Sequence, residues 1–211
     1  MATLLYQGHG SLRLSTNAGH VVYVDPFMSP AGVDSDETYE LPADVVLVTH
    51  QHHDHNAVDK MLHAAGCVVW QNMDAHPRRD AYLKREFLDG EISVEAVEAY
   101  NRNHPKDECV GYVVRVDGLT LYFAGDTSTT SQMGLMPSMD IDYAFLPGDG
   151  IYNMDVAEAA DCASLIKARH NVPIHLHPMQ PYGEEEAARF AQLAPDALLI
   201  RPGAPVELSK E

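Results

Sequence analysis

The chain has 211 residues, 45% of them hydrophobic and 21% charged, and a formal net charge of −17. This suits one soluble domain over 1–211 with a sizeable core, and no apolar run reaches the length of a membrane span. The acidity repels phosphate backbones and anionic lipids, which argues against nucleic acid and membrane surfaces as partners. Cys67, Cys109 and Cys162 are odd in number and far apart. That pattern fits a reducing compartment rather than a disulfide framework, and "MATLLYQGHG" lacks the features of a secretory signal, so a cytoplasmic location is expected.

The chain opens with β patterning: "TLLYQG", "LRLST" and "VVYVDPF" predict short strands separated by turn residues. "DVVLVT" (44–49) is a continuous apolar, β-branched run, the pattern of a strand buried on both faces. Ala57, Val58, Met61, Leu62 and Ala65 then fall at helical spacing before Gly66, which predicts a helix over 55–66, followed by a strand over 67–70. A second helix is predicted over 74–88, with Asp74 as its N-cap. Strands follow over 92–100, 109–116 and 119–125, the last two joined by an Asp117-Gly118 turn. The remaining expectations are a strand over 142–147, a helix over 155–169 capped by Asp155 with Glu158, a strand over 172–176, a helix over 184–194 and a strand over 197–200. Hairpins alternating with single helices predict two packed sheets flanked by helices.

The chemistry concentrates at the end of "DVVLVT". His50, His52, His53, Asp54 and His55 occupy five of six consecutive positions there. Ionisable groups at the end of a buried strand are costly unless something bonds them. His50 and His52 share one side of an extended backbone, and Asp54 and His55 lie where the chain turns. One metal could take the first pair and a neighbouring metal the second, and imidazole with carboxylate suits zinc, manganese or iron. His104, Asp126 and His175 also fall at strand ends, and together they complete two three-ligand sites with one shared carboxylate.

"THQHHDHN" resembles the Thr-His-x-His-x-Asp-His signature of the metallo-β-lactamase superfamily, and "VVYVDPF", "LYFAGDTS", "AFLPGDGIYNMDVAEA" and "NVPIHLHP" follow in that superfamily's order. The likeness runs from "YQGHGSLRL" to about Pro178 and looks closest to the small single-domain branch that contains L-ascorbate-6-phosphate lactonase-like proteins. It implies an α/β (α+β) four-layer αββα sandwich with two divalent ions, zinc first and manganese or iron as alternatives, at one edge between the sheets. The first ion would take His50, His52 and His104, and the second Asp54, His55 and His175, with Asp126 bridging. Asp25 would orient ligands, and His9 corresponds to a family histidine near the site, or to a simple turn residue. His177 competes with His175 for the last place, and the Pro-Ile-His spacing favours His175. The chain departs from the family at Pro147-Gly148-Asp149-Gly150, where Pro-x-Gly-Gly is usual; Asp149 could face the substrate or cap a turn, and the turn is the favoured expectation.

The implied activity is hydrolysis of an ester-like bond (lactone, phosphodiester or thioester) by a metal-bound hydroxide, with Asp54 or Asp126 handling the proton. Arg102 and Lys106 flank His104 and could hold an anionic group, so the expected partner is a small, potentially anionic metabolite. A second copy of the chain is left open. The competing readings are an iron-dependent oxidoreductase on the same fold and a metal-binding scaffold without turnover.

Overall fold

The computed structural model describes residues 2–27, 40–78 and 81–210. The first sheet is built from β1 (Thr3–Gly8), β2 (Ser11–Ser15), β3 (Val21–Val24), β4 (Ala43–Val48), β5 (His63–Gln71) and a late strand, β12 (Pro205–Glu207), in the order β12-β1-β2-β3-β4-β5. The second is built from β6 (Lys84–Phe87), β7 (Ile92–Glu98), β8 (Val110–Val116), β9 (Leu119–Phe123), β10 (Tyr143–Pro147) and β11 (His170–Ile174), in the order β11-β10-β9-β8-β7-β6. Each sheet is mixed. β3, β4 and β5 run parallel in the first, β9, β10 and β11 run parallel in the second, and the other pairs are antiparallel. The expected αββα-type α+β sandwich is the observed architecture.

Side-chain alternation explains why the sheets face each other. On β4, Val45 and Leu47 enter the core between the sheets, while Val46 and Val48 pack on the outer face. On β10, Tyr143 and Phe145 point inward, while Ala144 and Leu146 meet the helices outside. A strand buried on both faces must be apolar at every position, as "DVVLVT" is. The helices α2 (Val156–Ile166) and α3 (Glu184–Leu193) cover the outer face of the second sheet. The side chain of Asp155 accepts from the Glu158 N–H and caps α2 as expected. Asp117 and Gly118, both at positive φ, turn β8 into β9. Among the described residues, no helix is long and apolar enough to cross a membrane.

Three elements differ from expectation. Residues 55–66 form only the 3₁₀ turn Val58–Lys60, and the strand begins early, at His63. The Ala57 N–H bonds to the Pro26 carbonyl, and the Leu62 carbonyl accepts from Ala43, so both ends of the stretch are tied to the neighbouring chain and only the short turn between them bonds within itself. Gly66, expected as a helix stop, sits at φ +84 where β5 bulges between the pairs Ala43–His63 and Val45–Val68. The helix expected over 74–88 shrinks to α1 (Asn72–Ala75), capped by Gln71 with Asp74. Residues 79–80 lie outside the described residues, and Lys84–Phe87 form a strand because they pair with β7 and bury Phe87 against Trp70. The strand expected over 197–200 is a single bridge from Ala197 to Asn171, and the closing strand is β12, paired with β1.

Candidate metal centre

The site lies where strand ends of both sheets meet. β4 delivers His50 immediately after Thr49, and the following turn carries His52, Asp54 and His55. The loop after β7 brings His104, the turn after β9 brings Asp126, and His175 directly follows β11. His50, His55, His104, His175 and Asp126 are all buried, whereas His52 is exposed on its outer side. Asp126 is the meeting point. Its Oδ1 is 3.3 Å from His55 Nε2, and its Oδ2 is 3.3 Å from His104 Nε2, 3.7 Å from His175 Nε2 and 4.0 Å from His50 Nε2.

The donor atoms fall into two groups around it. Donor atoms of His50, His52 and His104 lie within 4.8 Å of one another, and so do those of His9, Asp54, His55 and His175. The Nε2 atoms of His50, His55 and His175 are buried and have no hydrogen-bond partner in the structure. A buried imidazole nitrogen without a partner is expensive. Three of them converging on one carboxylate are what a pair of divalent ions would satisfy.

The opposite edge of each ring explains why these atoms point inward. Thr49 donates its only hydroxyl proton to Asp25 Oδ2 (2.6 Å), so its lone pair is left for His50 Nδ1 at 3.0 Å. Asp25 also accepts from the Thr49 N–H and lies 2.9 Å from His55 Nδ1. His104 Nδ1 donates to Asn101 Oδ1 at 2.9 Å. His175 Nδ1 is 3.0 Å from Asp149 Oδ2. An oxygen beside each of these Nδ1 atoms leaves Nε2 turned toward Asp126, the arrangement that orients histidine ligands.

Close packing and local strain hold this shell. A Cβ on Gly10 would lie 2.7 Å from His55 Cε1, and one on Gly125 would lie 3.0 Å from both Thr49 Cβ and the Val110 carbonyl. His9, Asp25 and His175 all occupy the left-handed region, at φ +55, +48 and +46. Such residues cost about 1–3 kcal/mol each and persist where the surroundings over-determine them.

The charges are strongly coupled. Burial would raise the Asp126 carboxyl, but His55 and His175 hold it well below the usual carboxylate range. Burial likewise opposes Asp54, yet contacts with His175 and His9 keep it well below its ordinary value; His9 Nε2 is 3.0 Å from Asp54 Oδ2. Burial and the facing His55 push the His50 imidazole down to about 2. Burial works against protonating His175, but Asp126, Asp149 and Asp54 raise it to about 9, and Asp126 and Asp25 likewise outweigh burial at His55. Carboxylates and imidazoles thus offset one another's charge here, and divalent ions taking the same donors would displace imidazole protons.

The structure therefore brings together His50, His52, His104, Asp54, His55, Asp126 and His175, with Asp25 and His9 directly against them. It does not bring the other three candidates to the centre. His177 is half-buried, and its Nδ1 accepts from the Met179 N–H. Lys106 Nζ is 2.6 Å from Glu98 and sits over the Tyr100 ring. Arg102 donates to the Ile151 carbonyl and lines a neighbouring cavity rather than the pocket over the cluster.

Asp149 does more than the expected turn. Its Oδ1 accepts from the N–H groups of Ile151, Tyr152 and Asn153, while Oδ2 faces His175; burial opposes, but these contacts hold its carboxyl at about 2. Sequence reasoning assigned no role to Thr49, Asn101 or this second contact of Asp149. The signals were present, since Thr49 opens the "THQHHDH" motif and Asp149 marks the departure after Pro147.

Known proteins place this arrangement in context. The model of a family described as beta-lactamase superfamily domain matches residues 3–175. A UPF0173 metal-dependent hydrolase of Nitratidesulfovibrio vulgaris (strain DP4) is 33% identical over 235 residues, covering 98% of this chain and 95% of the relative. Another, from Geobacillus sp. (strain WCH70), is 29% identical over 225 residues, covering 96% and 98%. Among solved structures, Igni18, a metallo hydrolase from the hyperthermophilic archaeon Ignicoccus hospitalis, superposes with a TM-score of 0.76 at 22% identity, covering 99% of both chains. At that identity the likeness speaks for the fold alone.

Proposed function

This chain belongs to the beta-lactamase superfamily, and from that premise we propose that it is a metal-dependent hydrolase holding two divalent ions, zinc first, and cleaving an ester-like bond in a small molecule. The observation that carries this reading is the convergence of the unpartnered, buried Nε2 atoms of His50, His55 and His175 on Asp126. His50, His52 and His104 would hold one ion, Asp54, His55 and His175 the other, and Asp126 would reach both. When bound, such ions acidify water to near-neutral pKa and polarise a carbonyl or phosphoryl oxygen.

The chain's own groups do the rest. Asp126 stays ionised and supplies fixed negative charge between the two donor groups. Asp54, whose side chain is 21% exposed to the pocket and whose Oδ2 is held by His9 Nε2, is placed to take a proton and return it to a leaving group. Asp25, Thr49, Asn101 and Asp149 keep the imidazoles turned inward, so little reorganisation is needed when charge develops. The pocket above the cluster has a volume of about 290 Å³, which suits a small metabolite.

Elemental analysis of untagged protein, alongside zinc-loaded turnover on lactone, thioester and phosphodiester panels, tests the reading. Two ions per chain are expected, with His50→Ala sparing one, Asp126→Ala retaining fewer than one, and turnover lost in both. No ion after reconstitution would overturn it. Bound iron with a visible absorption band and no hydrolysis would move the chain to oxidoreductase chemistry.

A further inference from the structure

The pocket over the cluster has a sharply divided lining. Its floor is the charged set of His9, His52, Asp54, His104, Asp126 and His175. Its walls, among the described residues, are Phe27, Tyr152, Pro178 and Met179, with His53 and Asn103 at the rim and no lysine or arginine. Met179 is 80% exposed and Tyr152 53% exposed, so two large apolar side chains stand in solvent at one mouth. Exposed apolar surface gathered at a pocket marks a place that expects to be covered.

The cations nearest in sequence are engaged elsewhere. Lys106 is paired with Glu98, and Arg102 is bonded to the Ile151 carbonyl beyond Tyr152. Asn103 already donates to the Tyr152 carbonyl at 2.9 Å. The chain that continues from Phe27, residues 28–39, carries three acids and no lysine or arginine in its sequence. A carboxylate or phosphate laid against these walls would lose water and meet no lysine or arginine among the described residues, only the Tyr152 hydroxyl and the His53 ring, and the net charge of −17 would oppose its approach. Ions held by the floor residues would place their positive charge beside the scissile group, not beside a tail against carbon.

We infer that the part of the substrate flanking its scissile bond is uncharged and apolar, and is held by Phe27, Tyr152, Pro178 and Met179. This rests on the hydrolase reading for the identity of the reacting group, but not for the preference itself. It replaces the anionic anchor expected from Arg102 and Lys106.

The test is isothermal titration of the zinc-loaded full chain with hexanohydroxamate and adipic monohydroxamate. Both present the same metal-binding head, and they differ by a methyl against a carboxylate at the far end. Hexanohydroxamate is expected to bind at least about tenfold more tightly, a gap of about 1.4 kcal/mol. Tyr152→Ala and Met179→Ser should each shrink that ratio. Equal or tighter binding of the carboxylate compound, no binding of either, or a large loss of its affinity in Arg102→Ala would overturn the inference. Ester turnover is scored separately: preference without turnover sinks the hydrolase reading alone, and turnover without preference sinks this inference alone.

Discussion

The two sheets contribute to the metal centre in opposite ways. The first delivers four donor side chains, His50, His52, Asp54 and His55, from one stretch of six residues after β4. The second delivers His104, Asp126 and His175 singly, from the ends of three strands far apart in sequence. A contiguous cluster is positioned by one backbone segment. An assembled set is positioned only if β7, β9 and β11 are all in register. The first half is thus robust locally, and the second depends on the packing of its whole sheet.

The sharpest way to break this contrast is at the atom group both halves share. Asp126→Ala should lower the ion content below one per chain and reduce kcat/KM by about 10³-fold or more, since it removes fixed charge from a buried site. His50→Ala should spare one ion, as elemental analysis of the two variants side by side will show. Next in size is the packing beneath the second half. Phe145 is fully buried on β10, between the strands that precede Asp126 and His175, and stacks on Phe123 at 4.9 Å between ring centres. Phe145→Ala should cost about 3–5 kcal/mol in a urea titration.

A finer test compares the residues that turn the rings. Asp25→Asn loosens His55 and the Thr49–His50 pair, and Asp149→Asn loosens His175. Each should weaken zinc binding by about 10–100-fold, read by competition with a chelator. An unchanged affinity in Asp149→Asn would reduce that residue to its turn. The smallest effect belongs to Lys106→Ala. Burial opposes ionisation of Glu98, but Lys106 and then Ser131 outweigh it and lower its carboxyl. A lowered carboxyl stabilises the fold above its unfolded value and loses that contribution as pH falls through the folded one. The wild type should therefore exceed the variant by less than about 1 kcal/mol at pH 7, and the gap should close below about pH 4.

Much of this molecule was legible in its residues, and for local reasons. Strands with near-unbroken apolar runs, such as 44–49 and 109–116, declare themselves because a strand buried on both faces has to be apolar almost throughout. The start of α2 was legible because an N-cap is a short-range hydrogen bond. The histidine cluster was legible because ionisable groups after a buried strand need a partner. The stretches 55–66 and 74–88 misled because helical spacing is a local signal, whereas their backbone groups are satisfied by Pro26, Ala43 and β7. Arg102 and Lys106 misled for a related reason: adjacency to His104 in sequence says nothing of where a long side chain finds its acceptor.

The sequence by itself therefore determined the strands with continuous apolar runs, the donor chemistry of the site and the residues from which it is drawn. Tertiary structure decided where the last strands of each sheet pair, which oxygen turns each imidazole, and that the pocket above them is walled with carbon rather than cations. Those are distances between residues tens of positions apart, and only the closing of the two sheets brings them within reach of a hydrogen bond.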